Sequence, residues 1–278
     1  MSRKALLVGI NKYRIPGSDL WGCVNDVTNV RDCLLKFFGF CVEEIRVLVD
    51  ERATKRAMME RLRWLVRGAK GGDTLLFHFS GHGSQVRDRD GDELRDHLDE
   101  ILCPHDMDWD GTYITDDELR GVFSGLPQGA LLEVWLDCCH AGTGTREAFA
   151  MERLPPELST RPRFLAPPVD IQARVDEDLE VRRILRGVNP LSHVLFAGCR
   201  DNQTSADAFI GGYFNGAFTY YVCKNIRDAG GVVSRSDLLK RVRASLRFNG
   251  FAQIPQMEAP PGMKAKAVLE PSSVPEKT

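Results

Sequence analysis

Two short stretches of this 278-residue chain carry the residue types of nucleophilic catalysis. One is Phe79-Ser80-Gly81-His82-Gly83-Ser84 and the other is Asp137-Cys138-Cys139-His140-Ala141-Gly142. Each follows an apolar run, residues 74–79 and 131–136, that reads as a buried strand. In an open parallel sheet, ligands bind outside the carboxyl ends of the strands, so both turns should open onto one edge. A histidine between two glycines is open to close approach, and a cysteine just past a strand can sit where backbone N–H groups face inward. A thiol beside an imidazole is the minimum for attack on a carbonyl: the ring takes the proton and the thiolate attacks. Thiol pKa values at such sites fall from about 8.5 into a range of about 3.5–7.5.

The elements that must position these groups alternate in type. Strand-like runs at 4–10, 45–49, 74–79, 131–136 and 194–197 are interleaved with helical periods over 25–38, 54–66 and 114–123. Thr54 is a natural N-cap, and Asp116, Asp117 and Glu118 lie in the first turn after Thr115, where the helix dipole favours acids. Further helices are expected over 214–226 and 236–246, with a last strand at 265–269 and a polar, frayed tail at 271–278. This alternation predicts an α/β fold: a mixed, mostly parallel sheet with helices on both faces, forming a single domain. Residues 1–142 form its larger portion and 191–278 its smaller one. Between them, 143–190 is rich in proline and arginine and lacks a sustained apolar period, so it reads as a long exposed excursion.

Composition excludes several classes. Lys+Arg 37 against Asp+Glu 39, with a pI near 6.3, gives no basic excess for nucleic acid or an anionic membrane. No apolar run reaches the roughly 18–20 residues of a membrane span, and the six apolar residues from Ala5 to Ile10 fall short of a signal peptide's core of roughly 7–15. The eight cysteines follow no framework spacing, as expected of reduced thiols in the cytoplasm. Cys23, Cys33, Cys41, Cys199 and Cys223 read as small buried hydrophobes, and His78 as a core residue of its strand. With no further domain expected beyond residues 3–270, regulation would come from the chain itself, calcium or an upstream partner.

The two motifs closely resemble the paired motifs of metacaspases, caspase-like cysteine peptidases. The likeness extends to Ala5–Asn11, Gly22–Asp26, Asp99–Asp106, Ile114–Leu119, Asp201–Asp207 and Asn215–Tyr220, in order along the chain. It implies Cys139 as nucleophile and His82 as general acid/base, with backbone N–H groups of Gly83 and Cys139 forming the oxyanion hole. Strand alternation would turn Cys138 the other way, inward. The resemblance also implies cleavage after Arg or Lys, with Asp26 and Asp137 in the first specificity pocket and Cys23 and Ser80 near it; Asp201 and Asp207 stay open between a surface and a substrate-facing place. Protein substrates with a basic residue at the cleavage position, a possible activating protease upstream and a monomeric state follow from the same likeness. It further implies self-cleavage within 143–190, for which Arg153, Arg163, Arg174, Arg182, Arg183 and Arg186 are candidates. Arg161 is a poor one, since Pro162 has no amide N–H. Calcium activation through Asp99, Asp116 and Asp117 is implied too, although Arg146 stands where a further acid is expected, with Glu147 adjacent. The alternative reading is a non-catalytic caspase-like scaffold or regulator, a class that would have lost Cys or His.

Overall fold

A computed structural model describes residues 1–87, 98–139, 160–168, 193–200 and 203–270. Its centre is a six-stranded sheet. Strands β1 (Arg3–Gly9), β2 (Ile45–Val49), β3 (Thr74–Ser80), β7 (Leu131–Asp137) and β9 (His193–Ala197) run parallel, and β12 (Gln256–Glu258) is antiparallel to β9. The order across the sheet is β12-β9-β7-β3-β1-β2. Two three-stranded sheets flank it. One joins β4 (Gly83–Arg87), β5 (Leu98–Leu102) and β6 (Ile114–Thr115); the other places β10 (Ala206–Ile210) between β11 (Tyr213–Gly216) and β8 (Thr160–Pro162).

Alternation along the strands divides the core in two. Leu6, Val8, Phe77, Phe79, Leu132, Val134 and Leu136 face α2 (Lys55–Val66) and α3 (Asp116–Phe123). Ala5, Leu7, Leu76, Leu131 and Trp135 face α1 (Cys23–Phe37), α4 (Ala217–Asp228) and α5 (Arg235–Phe248). Continuous apolar runs therefore become strands buried on both faces. Thr54 and Thr115 cap α2 and α3 through side-chain oxygens, and Thr115 forms a capping box with Glu118. Paired residues Gly9, Ser80 and Asp137 bring the ends of β1, β3 and β7 into line, so the reactive turns leave the sheet together.

Several expectations are corrected. Residues 265–269 form no strand of the sheet: Met263–Ala265 is a short 3-10 turn, Ala267 makes a single bridge to Ser234, and β12 takes the edge instead. Here side chains satisfy the backbone in place of a ladder. Buried Glu133 accepts from Leu269 N–H at 2.7 Å, while Arg235 donates to the carbonyls of Met263 and Glu270. The helix expected from residue 214 begins at Ala217, because Tyr213–Gly216 pairs with β10. Cys41 is exposed, unlike Cys23, Cys33, Cys199 and Cys223. The excursion is not uniformly exposed either: Thr160–Pro162 is a strand, and Arg163 and Leu165 are buried. The frayed tail at 271–278 lies outside the described residues. Among those described, no helix is long and apolar enough to cross a membrane.

The Glu133–Arg235 pair, 2.6 Å apart with no solvent exposure, also takes the Trp135 indole N–H onto Glu133. Removing one member strands a buried charge, so Glu133→Ala is expected to cost about 3–5 kcal/mol, read as a lowered midpoint in urea unfolding.

Candidate active site

Three carboxylates from distant parts of the sequence converge beneath the sheet edge. Asp26 lies in the first turn of α1, Asp137 ends β7 and Asp207 lies on β10; all are fully buried. Each is anchored by donors. Asp26 accepts from the Ser80 hydroxyl at 2.7 Å and from Gly216 N–H. Asp137 accepts from the Ser205 hydroxyl and from the hydroxyl and N–H of Thr219, one of the free N–H groups in the first turn of α4. Asp207 accepts from the N–H groups of Trp21 and Gly22.

Between these acids sits the guanidinium of the chain's own Arg163, also fully buried. Its Nη2 lies 2.8 Å from Asp26 and 2.9 Å from Asp207, and its Nη1 3.2 Å from the Asp137 carboxylate. Nη1 also donates to Ser80 Oγ at 2.7 Å and to the Asp137 carbonyl at 3.1 Å. A flat fork with several N–H groups fits this ring of acceptors. Burial pushes the Asp26 carboxyl up to about 7, against the pull of Arg163 and with the neighbouring Asp137 adding to the rise. Three acids around one cation leave excess negative charge, and a proton on one of them relieves it. Cys23 is buried nearby, its thiol pushed up by desolvation and acted on by Arg163 and Ser80. Gly216 closes the pocket: any Cβ there would collide with the Asp137 carboxylate and the Arg163 guanidinium.

The backbone of Arg163 is held as closely as its side chain. Its carbonyl accepts from Gly83 N–H and Cys139 N–H, each at 3.1 Å, and its N–H donates to the Ser205 carbonyl at 3.0 Å. Upstream, β8 lies antiparallel along β10; downstream, Leu165 N–H donates to the Gly83 carbonyl and Ser84 Oγ donates to the Leu165 carbonyl. The segment crosses the sheet edge as an added strand.

His82 and Cys139 flank that carbonyl. His82 Nε2 lies 2.8 Å from the Ser18 carbonyl, which can only accept, so Nε2 carries hydrogen and a neutral ring presents the Nδ1 lone pair. Nδ1 is buried without a hydrogen-bond partner. Burial depresses the ring to about 4, partly offset by the carbonyls of Ser18 and Arg163. Tyr13 positions the turn, accepting His82 N–H on its hydroxyl at 2.7 Å, with its ring 4.8 Å from the imidazole. A side chain at Gly81 would strike that hydroxyl, which explains the glycine before His82. The Cys139 sulfur receives Ser205 N–H and faces the Ser205 carbonyl at 3.6 Å.

The structure thus gathers His82, Gly83, Cys139, Asp26, Asp137, Ser80 and Cys23 in one place, with Cys138 buried in the core that holds Val134 and Leu136. His78 lies in the core beside Thr219, its ring depressed to about 3 by burial. Tyr13 and Ser18 carry no signal in the sequence, Trp21 reads there as packing, and Ser205 and Gly216 lie within motif stretches without a role of their own. Asp207, open in the sequence between a surface and a substrate-facing place, proves to be a buried acid of the pocket, which its spacing alone does not tell.

Asp116 and Asp117 hold the guanidinium of Arg120, from the same helix. The side chain of Asp99 and all of Arg146, Glu147 and His140 lie outside the described residues, as do Asp201 and the cleavage candidates Arg153, Arg174, Arg182, Arg183 and Arg186. Among the described residues no group of His, Cys, Asp and Glu is arranged to hold a metal ion.

The occupied pocket predicts a protected thiol, since Cys139 has no solvent exposure. Arg163→Ala is expected to speed alkylation of Cys139 by iodoacetamide by about tenfold or more, because removing one partner of a buried ion pair costs several kcal/mol. Peptide mapping against the exposed Cys41 reads the change.

Comparison with known proteins now adds to this geometry. Residues 3–146 match the metacaspase, peptidase C14 domain family. Metacaspase-1 of Schizosaccharomyces pombe is 30% identical over 92% of this chain, which spans 66% of that relative. Metacaspase-1B of Neosartorya fischeri is 31% identical over 97% of this chain and 72% of its own length. The chain therefore spans about two thirds of these relatives. Among solved structures, protein GSU0716 from Geobacter sulfurreducens superposes with a TM-score of 0.69 at 22% identity, covering 97% of this chain and 98% of that one. Caspase-1 from Spodoptera frugiperda does so at 0.60 and 13% identity, covering 95% and 88%, which places this fold with that of caspases.

Proposed function

Because the chain belongs to the metacaspase family, peptidase C14, we propose that it is a cysteine endopeptidase cleaving after arginine or lysine, and that the bond between its own Arg163 and Phe164 is its first substrate. The observation that carries this reading is the seat of Arg163: its cation lies among three acids while its carbonyl receives two backbone N–H groups beside Cys139.

In the proposed reaction, the Cys139 thiol gives its proton to His82 Nδ1, and the thiolate attacks the Arg163 carbonyl carbon. The carbonyl oxygen becomes an oxyanion against Gly83 and Cys139 N–H; one such donor can contribute roughly 2.7–4 kcal/mol to lowering the barrier. The C–N bond to Phe164 breaks as protonated His82 returns the proton to the leaving amine. Water, deprotonated by His82, then hydrolyses the thioester and frees Cys139. Ser18 holds the ring in the required tautomer throughout.

Charge complementarity sets the preference. Two guanidinium nitrogens reach Ser80 and all three carboxylates, whereas a lysine ammonium offers one point of contact. An aspartate in the same place would meet like charges.

The test is mass spectrometry of the purified chain. Wild type is expected to yield a fragment ending at Arg163 and another beginning at Phe164, and Cys139→Ala to remain intact. Fluorogenic peptides with arginine at the cleavage position should be turned over faster than aspartate versions by roughly a hundredfold or more. Continued nicking by Cys139→Ala, or no turnover of arginine peptides by the nicked chain, would favour the non-catalytic scaffold instead.

Calcium is proposed as an activator that competes with Arg120 for Asp116 and Asp117, outside the bond-breaking steps. Calcium is expected to speed nicking relative to chelator-treated protein, and Asp117→Asn to abolish the response. Equal rates with calcium and with chelator would remove the proposal.

A further inference from the structure

We infer that Cys33 and Cys223 form a redox-active dithiol, which a peroxide closes to a disulfide tying α1 to α4. Such a bond joins the larger portion of the chain to the smaller one independently of the segment between them.

The two sulfurs come from positions 190 residues apart. Cys33 lies on the buried face of α1 with Val30 and Leu34, and Cys223 on that of α4 with Val222 and Ile226. Their register is fixed one turn away, where Arg227 Nη2 donates to the Asn29 side-chain oxygen at 2.8 Å. Asn29 stands four residues before Cys33 and Arg227 four after Cys223, so the helices cross antiparallel and the same faces meet again at the thiols. There the Cys33 thiol reaches across to the Cys223 carbonyl at 3.8 Å, and the two thiols hydrogen-bond each other. Cysteines acting as small hydrophobes need only apolar neighbours. Here each has the other's sulfur.

The two thiols are also chemically unequal. The hydrogen bond with Cys223 lowers the Cys33 thiol from its ordinary value, against desolvation and with Arg227 adding to the fall. The same bond, with burial, pushes the Cys223 thiol well above its own. Cys33 is therefore the sulfur that ionises and attacks first. Arg31, Asp32 and Lys36 around it are exposed, which suits an oxidant as small as hydrogen peroxide.

In the proposed step the Cys33 thiolate attacks one peroxide oxygen, and the O–O bond breaks to leave a sulfenic acid and hydroxide. The hydroxide takes the Cys223 proton and becomes water. The Cys223 sulfur then attacks the Cys33 sulfur, the S–S bond forms, and the S–O bond breaks. The departing hydroxide combines with the proton that Cys33 first lost. Two thiols are oxidised by two electrons, and one peroxide is reduced to two waters.

Cys199 hydrogen-bonds the Cys139 sulfur, so the test removes that second pair. The full-length Cys139→Ala chain, which needs no self-cleavage, is treated with hydrogen peroxide until the exposed Cys41 is oxidised. Remaining thiols are alkylated in denaturant, and the chain is digested with trypsin without reduction. Residues 32–36 are expected to be found joined to residues 201–224, and dithiothreitol to separate them. Cys33→Ser and Cys223→Ser in the same chain are each expected to abolish the joined peptide. Recovery of Cys33 and Cys223 as alkylated thiols, as sulfonic acids or linked elsewhere would overturn the pair. In a Cys199→Ala chain that has nicked itself, peroxide is expected to hold the two fragments together on a non-reducing gel. Failure of that chain to nick would overturn the peptidase reading above and leave the peptide map, and the pair, standing.

Discussion

A guanidinium without solvent contact, ringed by carboxylates from α1, β7 and β10, organises this edge of the molecule. Taking a charged group out of water costs several kcal/mol, and an opposing charge at hydrogen-bonding distance is what offsets it. The same holds for the acids. Asp26, Asp137 and Asp207 are fully buried, and without a cation among them their like charges would repel unrelieved. Asp26 already stands near 7 with the cation in place. An anion or a neutral side chain set among these acids would leave their charge unrelieved.

That charge contact also sets the position of the proposed reaction. The guanidinium fixes the depth of Arg163, the β8–β10 pairing fixes its direction, and the two together leave its carbonyl between Gly83 N–H and Cys139 N–H. His82 needs no carboxylate to orient it, because the Ser18 carbonyl selects the tautomer and the Tyr13 hydroxyl holds the backbone beneath the ring. Burial keeps His82 neutral well below its ordinary range, the form able to accept a thiol proton. The chain thus holds a segment of itself along the proposed cleavage site, with Cys139 covered.

Much of the fold could be read from periodicity alone. Runs such as Leu131–Leu136 are apolar at every position because both faces of the sheet are covered, and the caps at Thr54 and Thr115 are local chemistry within four residues. Elements that depend on distant partners were not legible. Gln256–Glu258 becomes a strand because β9 offers it an open edge, and the segment near Leu269 is shaped by Glu133, more than a hundred residues earlier. Residues 214–216 read in the sequence as the start of a helix, but their pairing with β10 makes them part of a strand.

The site divides along the same line. Residue types and their order place a thiol and an imidazole in turns that follow buried strands, while the two acids and the backbone donors beside them come from the resemblance of the motifs to those of metacaspases. It took the fold to seat Arg163 in the acid pocket, to make Asp207 the third acid and to set Trp21 against Arg161. Thr160–Pro162 has no apolar period to mark it as a strand; β10 makes it one by supplying the hydrogen-bonding edge. Complementarity between a cation and acids drawn from positions 26, 137 and 207 exists only once folding has brought them within about 3 Å of one point.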